Sequence, residues 1–309
     1  MFRKISSKII GGVFVVLLAL VVLVELWDAR KGNRNFKSDL LDVEFADVSS
    51  IEVYAKAANH KRIKLFKEND LWKVESEGKT YNADANIGKR LVSALNDMKA
   101  KSVATTSKER WEQFEVTDSL GTRVKLFKGN ELLADVIVGK FSFSQPRDMT
   151  SYVRLANDKE VYGVDGSLGM SFNRKVDSFR DRTLLDANKT NWTKLQFTYP
   201  ADSSFVLEKA GDKWMIGEVE ADSAQVAQYF NKIDRLTDSD FAEEKPSIEP
   251  THRLRIESSN GIPAIEITGY RVDDETFILE SSQNIGTYFN SKSRAERLFV
   301  SSADFTTDE

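Results

Sequence analysis

Apolar and polar positions along the chain follow two different rhythms. Residues 9–24 read IIGGVFVVLLALVVLV, sixteen positions without a charge, whereas after residue 45 apolar residues recur either at every second position or at three- and four-residue spacing. As a helix the first run would measure about 24 Å, against a bilayer core of roughly 30 Å. Lys8 can snorkel at one end, and Leu26 and Trp27 extend the apolar face at the other. The run is followed by Glu-Leu-Trp-Asp with no Ala-x-Ala cleavage pattern, which favours an uncleaved signal anchor over a cleaved signal peptide. Basic residues flank it on both sides, so the positive-inside rule gives nearly a tie. The early cluster of Arg3, Lys4 and Lys8 is how an export signal begins, which puts the body outside the cytoplasm.

The second rhythm is duplicated. Ile63-x-Leu65-(x6)-Trp72-x-Val74 matches Phe205-x-Leu207-(x6)-Trp214-x-Ile216 at an offset of 142, each around a turn of Asn, Gly or Asp. Alternation about such a turn marks a β-hairpin with one buried face. A helix is expected after each, capped by Asp84 or Asp222, with Leu91, Val92, Leu95 and Met98 on one stripe and Tyr229, Phe230, Ile233 and Leu236 on the other. A second hairpin follows, residues 124–140 (VKLFKGNELLADVIVGK) and 254–270 (LRIESSNGIPAIEITGY), with Gly139 and Gly269 expected to end the strands. Residues 152–155 and 277–280 add a further strand to each unit. The offset falls to 130 because the second copy lacks much of residues 105–118.

These patterns predict an α+β fold: two tandem repeats of a mainly antiparallel sheet, each with one covering helix, preceded by one transmembrane helix. The expected divisions are a cytoplasmic N-terminus at 1–8, the anchor at 9–27 and a linker at 28–45. The first repeat takes 46–165, a junction 166–191, the second repeat 192–303 and a tail 304–309.

Charge sharpens this division. Through Ser38 there are seven basic residues against two acidic ones; the remainder has 37 against 46. An acidic body without a basic, aromatic-interleaved face argues against nucleic acid as a partner. The absence of cysteine excludes disulfides, thiolate metal sites and cysteine nucleophiles. His60 and His252 stand singly, His60 in a turn between strands and His252 entering one, with no paired spacing for a metal. Phosphate-loop, dinucleotide and nucleophile-elbow motifs are missing, so no catalytic residue, cofactor or metal is expected, and the chain reads as non-enzymatic.

Two segments remain as candidate contacts. Phe141, Phe143 and Arg147 lie in FSFSQPRDM, where exposed aromatics and an arginine would suit a partner, although both rings could equally alternate inward as strand. Asp177, Arg180 and Arg182 form the densest charged cluster carrying an aromatic. They would either clamp an anionic ligand between the repeats or fix the lobes by salt bridges.

Ser151-Tyr152-Val153-Arg154-Leu155, the run Val161-Tyr162-Gly163-Val164-Asp165-Gly166 and the junction MSFNR-(x4)-FRDRTLL at 170–185 resemble the domain-of-unknown-function family DUF4340. The resemblance covers about residues 48–300. It implies a bacterial inner-membrane protein with a single N-terminal membrane segment and a duplicated periplasmic domain. Genes of such proteins often neighbour gliding-motility-type ABC transporters. The expectation is an accessory or adaptor protein with the membrane and ABC transporter subunits as partners; the alternative is a module binding a small anionic ligand or glycan between its repeats.

Overall fold

The computed structural model describes residues 38–144, 148–259 and 261–306. The first lobe consists of β1 (Ser50–Tyr54), β2 (Arg62–Glu68), β3 (Leu71–Ser76), β4 (Lys79–Asn82), α1 (Ile87–Asn96), β5 (Ala100–Thr105), β6 (Thr122–Lys128), β7 (Glu131–Ser144), β8 (Asp148–Leu155), β9 (Val161–Asp165) and α2 (Gly169–Phe172). A short β10 (Thr183–Asp186) leads into the second lobe. That lobe comprises β11 (Trp192–Thr198), β12 (Phe205–Ala210), β13 (Lys213–Ile216), β14 (Val219–Glu220), α3 (Ser223–Ile233), β15 (Arg235–Thr237), β16 (Phe241–Ala242), β17 (His252–Ser258), β18 (Ile265–Arg271), β19 (Phe277–Ser281), β20 (Tyr288–Asn290) and α4 (Lys292–Leu298).

Each lobe is one nine-stranded sheet. The orders are β4-β3-β2-β1-β6-β7-β8-β9-β5 and β14-β13-β12-β11-β17-β18-β19-β20-β16, the same path drawn twice, while β10 and β15 pair separately. The Trp hairpins are β2–β3 and β12–β13, in the register the alternation predicts: Leu65 faces Val74 and Leu207 faces Ile216. Asn69 and Asp70 both take positive φ, the two-residue turn that matches strand twist. One face of the first sheet buries Ile51, Val53, Ile63, Leu65, Val124 and Leu126 against Leu91, Val92 and Leu95 of α1. The opposite face carries charged pairs, among them Arg123, whose Nε and Nη2 donate to the two oxygens of Asp135 at 2.8 and 2.7 Å. A separate core fills the second lobe around Trp192, Leu195, Phe197 and Phe230.

The expected fold class is overturned. The described chain is mainly antiparallel β, nine sheet strands to a lobe, and two helices rather than one accompany each sheet. Short edge strands such as β4, β14 and β16 bury little, and β9 is buried at four successive positions, so neither kind shows the alternation that reveals a half-buried strand. Among the described residues no helix is long and apolar enough to cross a membrane; the expected transmembrane helix at 9–27 lies outside them.

Local corrections follow the same logic. Gly139 and Gly269 do not end strands; β7 and β18 run through them. A Cβ at Gly139 would lie 2.1 Å from the Phe114 carbonyl oxygen, and one at Gly269 2.6 Å from the Phe277 ring, so close packing explains both glycines. Asp222 caps α3, accepting from the Ala224 and Gln225 N–H groups. Asp84 does not cap α1, which starts at Ile87; its carboxylate accepts from the Asn86 N–H at 2.8 Å in the preceding turn. Leu236 falls on β15 rather than on the helix. Residues 106–118, much of which the second copy lacks, fold over Ile137, where Phe114 and Val116 make a small third core. Arg154 fixes this insertion: its guanidinium lies 3.8 Å from the Trp111 ring centroid and its Nε donates to the Val116 carbonyl at 3.1 Å.

Candidate functional site

The candidate residues fall in two places. The first is the seam between the lobes. Phe179 is fully buried in the first lobe, and its carbonyl accepts from the Asp84 N–H. The next residue, Arg180, is only 4% exposed and lies between two rings from different lobes. Its guanidinium is 4.0 Å from the Tyr81 centroid of β4 and 3.6 Å from the Phe241 centroid of β16. Nη1 donates to Asp177 at 3.2 Å, whereas Nε is buried without a hydrogen-bond partner. Asp177 is exposed, and Arg182 is exposed with its carbonyl accepting from the Asp238 N–H of the second lobe.

The seam continues on both sides of this stack. Lys79 pairs with Glu243, and this contact, helped by the nearby charge of Arg180, lowers the Glu243 carboxyl below its ordinary value. The Asn82 side-chain amide donates to Asn284 Oδ1 at 2.9 Å and to the Ile285 carbonyl at 3.0 Å. Asn284 in turn donates to the Asp181 carbonyl at 3.0 Å. A groove of about 440 Å³ runs beside these amides, lined by Trp72, Lys73, Asp181, Gln283 and Ile285 among others. The crossing between lobes is abrupt. The Asp181 N–H donates to the Asn82 carbonyl of the first lobe, and the Arg182 carbonyl already accepts from the second.

The second place is a ribbon. β6 last pairs with β7 at Thr122 and Val138, and β9 last pairs with β8 at Asp165 and Thr150. Beyond these points β7 and β8 pair only with each other, Phe143 opposite Met149. Phe141 and Phe143 do continue the strand, yet both rings are exposed, at 56% and 64%. Met170 of α2, 65% exposed, lines a cleft together with Phe141, Lys56 and Lys140. Arg147 lies outside the described residues.

His60 sits in the turn after β1 with positive φ. His252 opens β17, where Tyr199, Phe277 and Phe299 surround it with ring centroids 5.1 to 5.2 Å away. That burial, with the charge of Arg271, lowers its pKa. Among the described residues no group of three or more His, Cys, Asp or Glu side chains is placed to hold a metal ion.

Sequence reasoning picked out Arg180 and Asp177 but missed Tyr81, Asn82, Phe241 and Asn284, which complete the seam from distant elements, and Met170 beside the ribbon. A signal for the seam did exist: Phe172 and Phe179 repeat as Leu298 and Phe305 at an offset of 126, so the seam grows from the end of the first repeat. A family model described as a domain of unknown function, DUF4340, matches residues 72–255, more than half of the chain. The chain belongs to the DUF4340 family. The DUF4340 match runs from Trp72 in the first lobe to Arg255 in the second, so it includes Tyr81, Arg180, Phe241 and the whole ribbon. Nothing among curated proteins or solved structures matches the chain.

Proposed function

We propose that the protein is a non-enzymatic accessory or adaptor of a bacterial envelope complex, with ABC-type transporter subunits as partners and its lobed body on the extracytoplasmic side. The observation that supports this reading best is the seam. Arg180 inserted between Tyr81 and Phe241, and a chain crossing at residues 181–182 bonded on both sides, join two sheets into one body with fixed geometry. A body of that kind suits presenting surfaces to partners at a set spacing. The transporter assignment rests on the resemblance to DUF4340 proteins and their gene neighbours. A module that closes its lobes on an anionic or glycan ligand would need relative motion, for which this crossing leaves little free chain.

The test is recovery of the complex. Full-length protein with an affinity tag, purified in mild detergent from its native host, should bring down the membrane and nucleotide-binding subunits of an ABC-type transporter. Recovery of the protein alone under crosslinked as well as uncrosslinked conditions would overturn the adaptor reading. A melting shift on adding an anionic glycan, without partners, would favour the ligand-binding alternative.

A further inference from the structure

The exposed ribbon has a definite position relative to the start of the described chain. The Ala100 N–H at the start of β5 donates to the Ser38 carbonyl at 2.8 Å. Ala100 is opposite Val164, Val164 opposite Ser151, and Ser151 opposite Phe141. Ser38 lies one spacing outside the edge strand β5, so it and Phe141 share one row across the sheet, four strand spacings or about 19 Å apart. Phe143 projects beyond that row. Chain entry and ribbon share one end of the lobe, and the apolar run of residues 9–24 joins that end through thirteen residues, a reach of up to about 45 Å.

The surroundings of the two rings favour a lipid surface. Phe141, Phe143 and Met170 are large, apolar and exposed, and Phe141 and Met170 line one cleft. Lys140 lines the same cleft together with the Lys56–Glu115 pair, and Arg174 and Lys175 follow α2 after Asn173. The nearby acids Glu115 and Asp165 are each paired with a lysine, Lys56 and Lys101. Apolar side chains beside Lys140, with Glu115 and Asp165 neutralised by their lysines, suit the boundary between acyl chains and anionic headgroups. A protein groove would need concave complementarity, whereas a projecting two-stranded ribbon presents its side chains outward.

We infer that Phe141, Phe143 and Met170 form a bilayer-contact surface, which seats the first lobe on the membrane with its β-sheet rim facing the lipid. This deepens the reading of the protein as a membrane-associated adaptor and rests on it. It names the lipid interface as what the ribbon touches.

Because the chain has no cysteine, single labels can be placed without background. Full-length Phe143→Cys and, as a control, Leu132→Cys at the other end of β7, about 36 Å away, carry an environment-sensitive dye. Both are reconstituted into phosphatidylethanolamine–phosphatidylglycerol vesicles containing spin-labelled lipid. The label at 143 should be blue-shifted and quenched several-fold more strongly than the label at 132. Equal quenching at the two positions would overturn the proposal. So would a water-like signal at 143, or a blue shift at 143 without lipid quenching, which would mean that a second copy or the chain's own N-terminal segment covers it. The vesicles contain no transporter, so this outcome is independent of whether the complex is recovered.

Discussion

Replacing Arg180 separates what its charge contributes from what its shape contributes. Each ring contact of a desolvated guanidinium is worth up to about 2 kcal/mol, giving roughly 2–4 kcal/mol for the two rings together. Against this stands the buried Nε without a partner, a cost of about 1–3 kcal/mol. The bond to Asp177 adds little, because that carboxylate is 56% exposed and can return to water. The net electrostatic gain is therefore small, and most of the value lies in filling the space between Tyr81 and Phe241. Arg180→Ala should cost about 3 kcal/mol through lost stacking and the cavity left behind. Arg180→Met keeps a stem of similar length and removes the orphaned donor, so it should cost about 1 kcal/mol or less.

Guanidinium unfolding followed by tryptophan fluorescence measures both changes. Trp72 and Trp111 report the first lobe, and Trp192 and Trp214 the second. With Arg180→Ala the two lobes should also begin to unfold at separate midpoints, since the seam that couples them is weakened. If Arg180→Met proves as damaging as Arg180→Ala, the charge rather than the volume holds the seam, and the reasoning fails.

Two further changes test the local packing. In Gly88→Ala, the new methyl would lie 2.0 Å from the Trp72 ring, so the helix-propensity gain of about 1 kcal/mol should be outweighed by overpacking. The expected result is a net loss of about 2 kcal/mol with an altered Trp72 emission; an increase in melting temperature would contradict the packing argument. His252, whose folded pKa is lowered by burial and by Arg271, takes up a proton more readily in the unfolded chain, near pH 6.5. Its contribution is complete above that pH and declines as pH falls below it. Between pH 7.5 and 5.5 the native protein should accordingly lose more stability than His252→Phe, and parallel curves for the two proteins would exclude the histidine as the cause.

The parts of the fold legible in sequence are those in which one face of a strand or helix is buried and the other is wet. Trp72 and Trp214, with alternating neighbours and a tight turn, define their hairpins without tertiary information. Gly139 and Gly269 mislead for the opposite reason. A glycine in an alternating run looks like a stop, and only the approach of Phe114 or Phe277 from elsewhere shows why the strand continues. The seam was half legible. Arg180 and Asp177 are adjacent in the chain and attract notice as a charged cluster, but Tyr81 and Phe241 sit on short edge strands with ordinary polar neighbours. Nothing local distinguishes a tyrosine that meets an arginine about a hundred positions away. The ribbon was open between two readings because a strand that continues in a sheet ordinarily turns alternate side chains inward. β7 satisfies both by outrunning β6 and β9.

The duplication also leaves the two lobes with different outer edges. Ala83 and Ala221 are equivalent, each donating its N–H to the carbonyl of its hairpin tryptophan, and Phe179 and Phe305 are equivalent in accepting from Asp84 and Asp222. By that alignment Tyr81 and Asn82, the edge that meets the second lobe, correspond to Val219 and Glu220. A third unit docking in the same manner would have to use β14 as its edge. That strand is only two residues long, lies between Glu218 and Asp222, and leaves Val219 58% exposed where Tyr81 stacks on Arg180. Short length and acidic side chains are how sheet edges are kept from pairing further. Equivalent surfaces in the two copies thus differ: one joins a neighbouring lobe through Tyr81 and Asn82, and the other presents a two-residue strand flanked by acids.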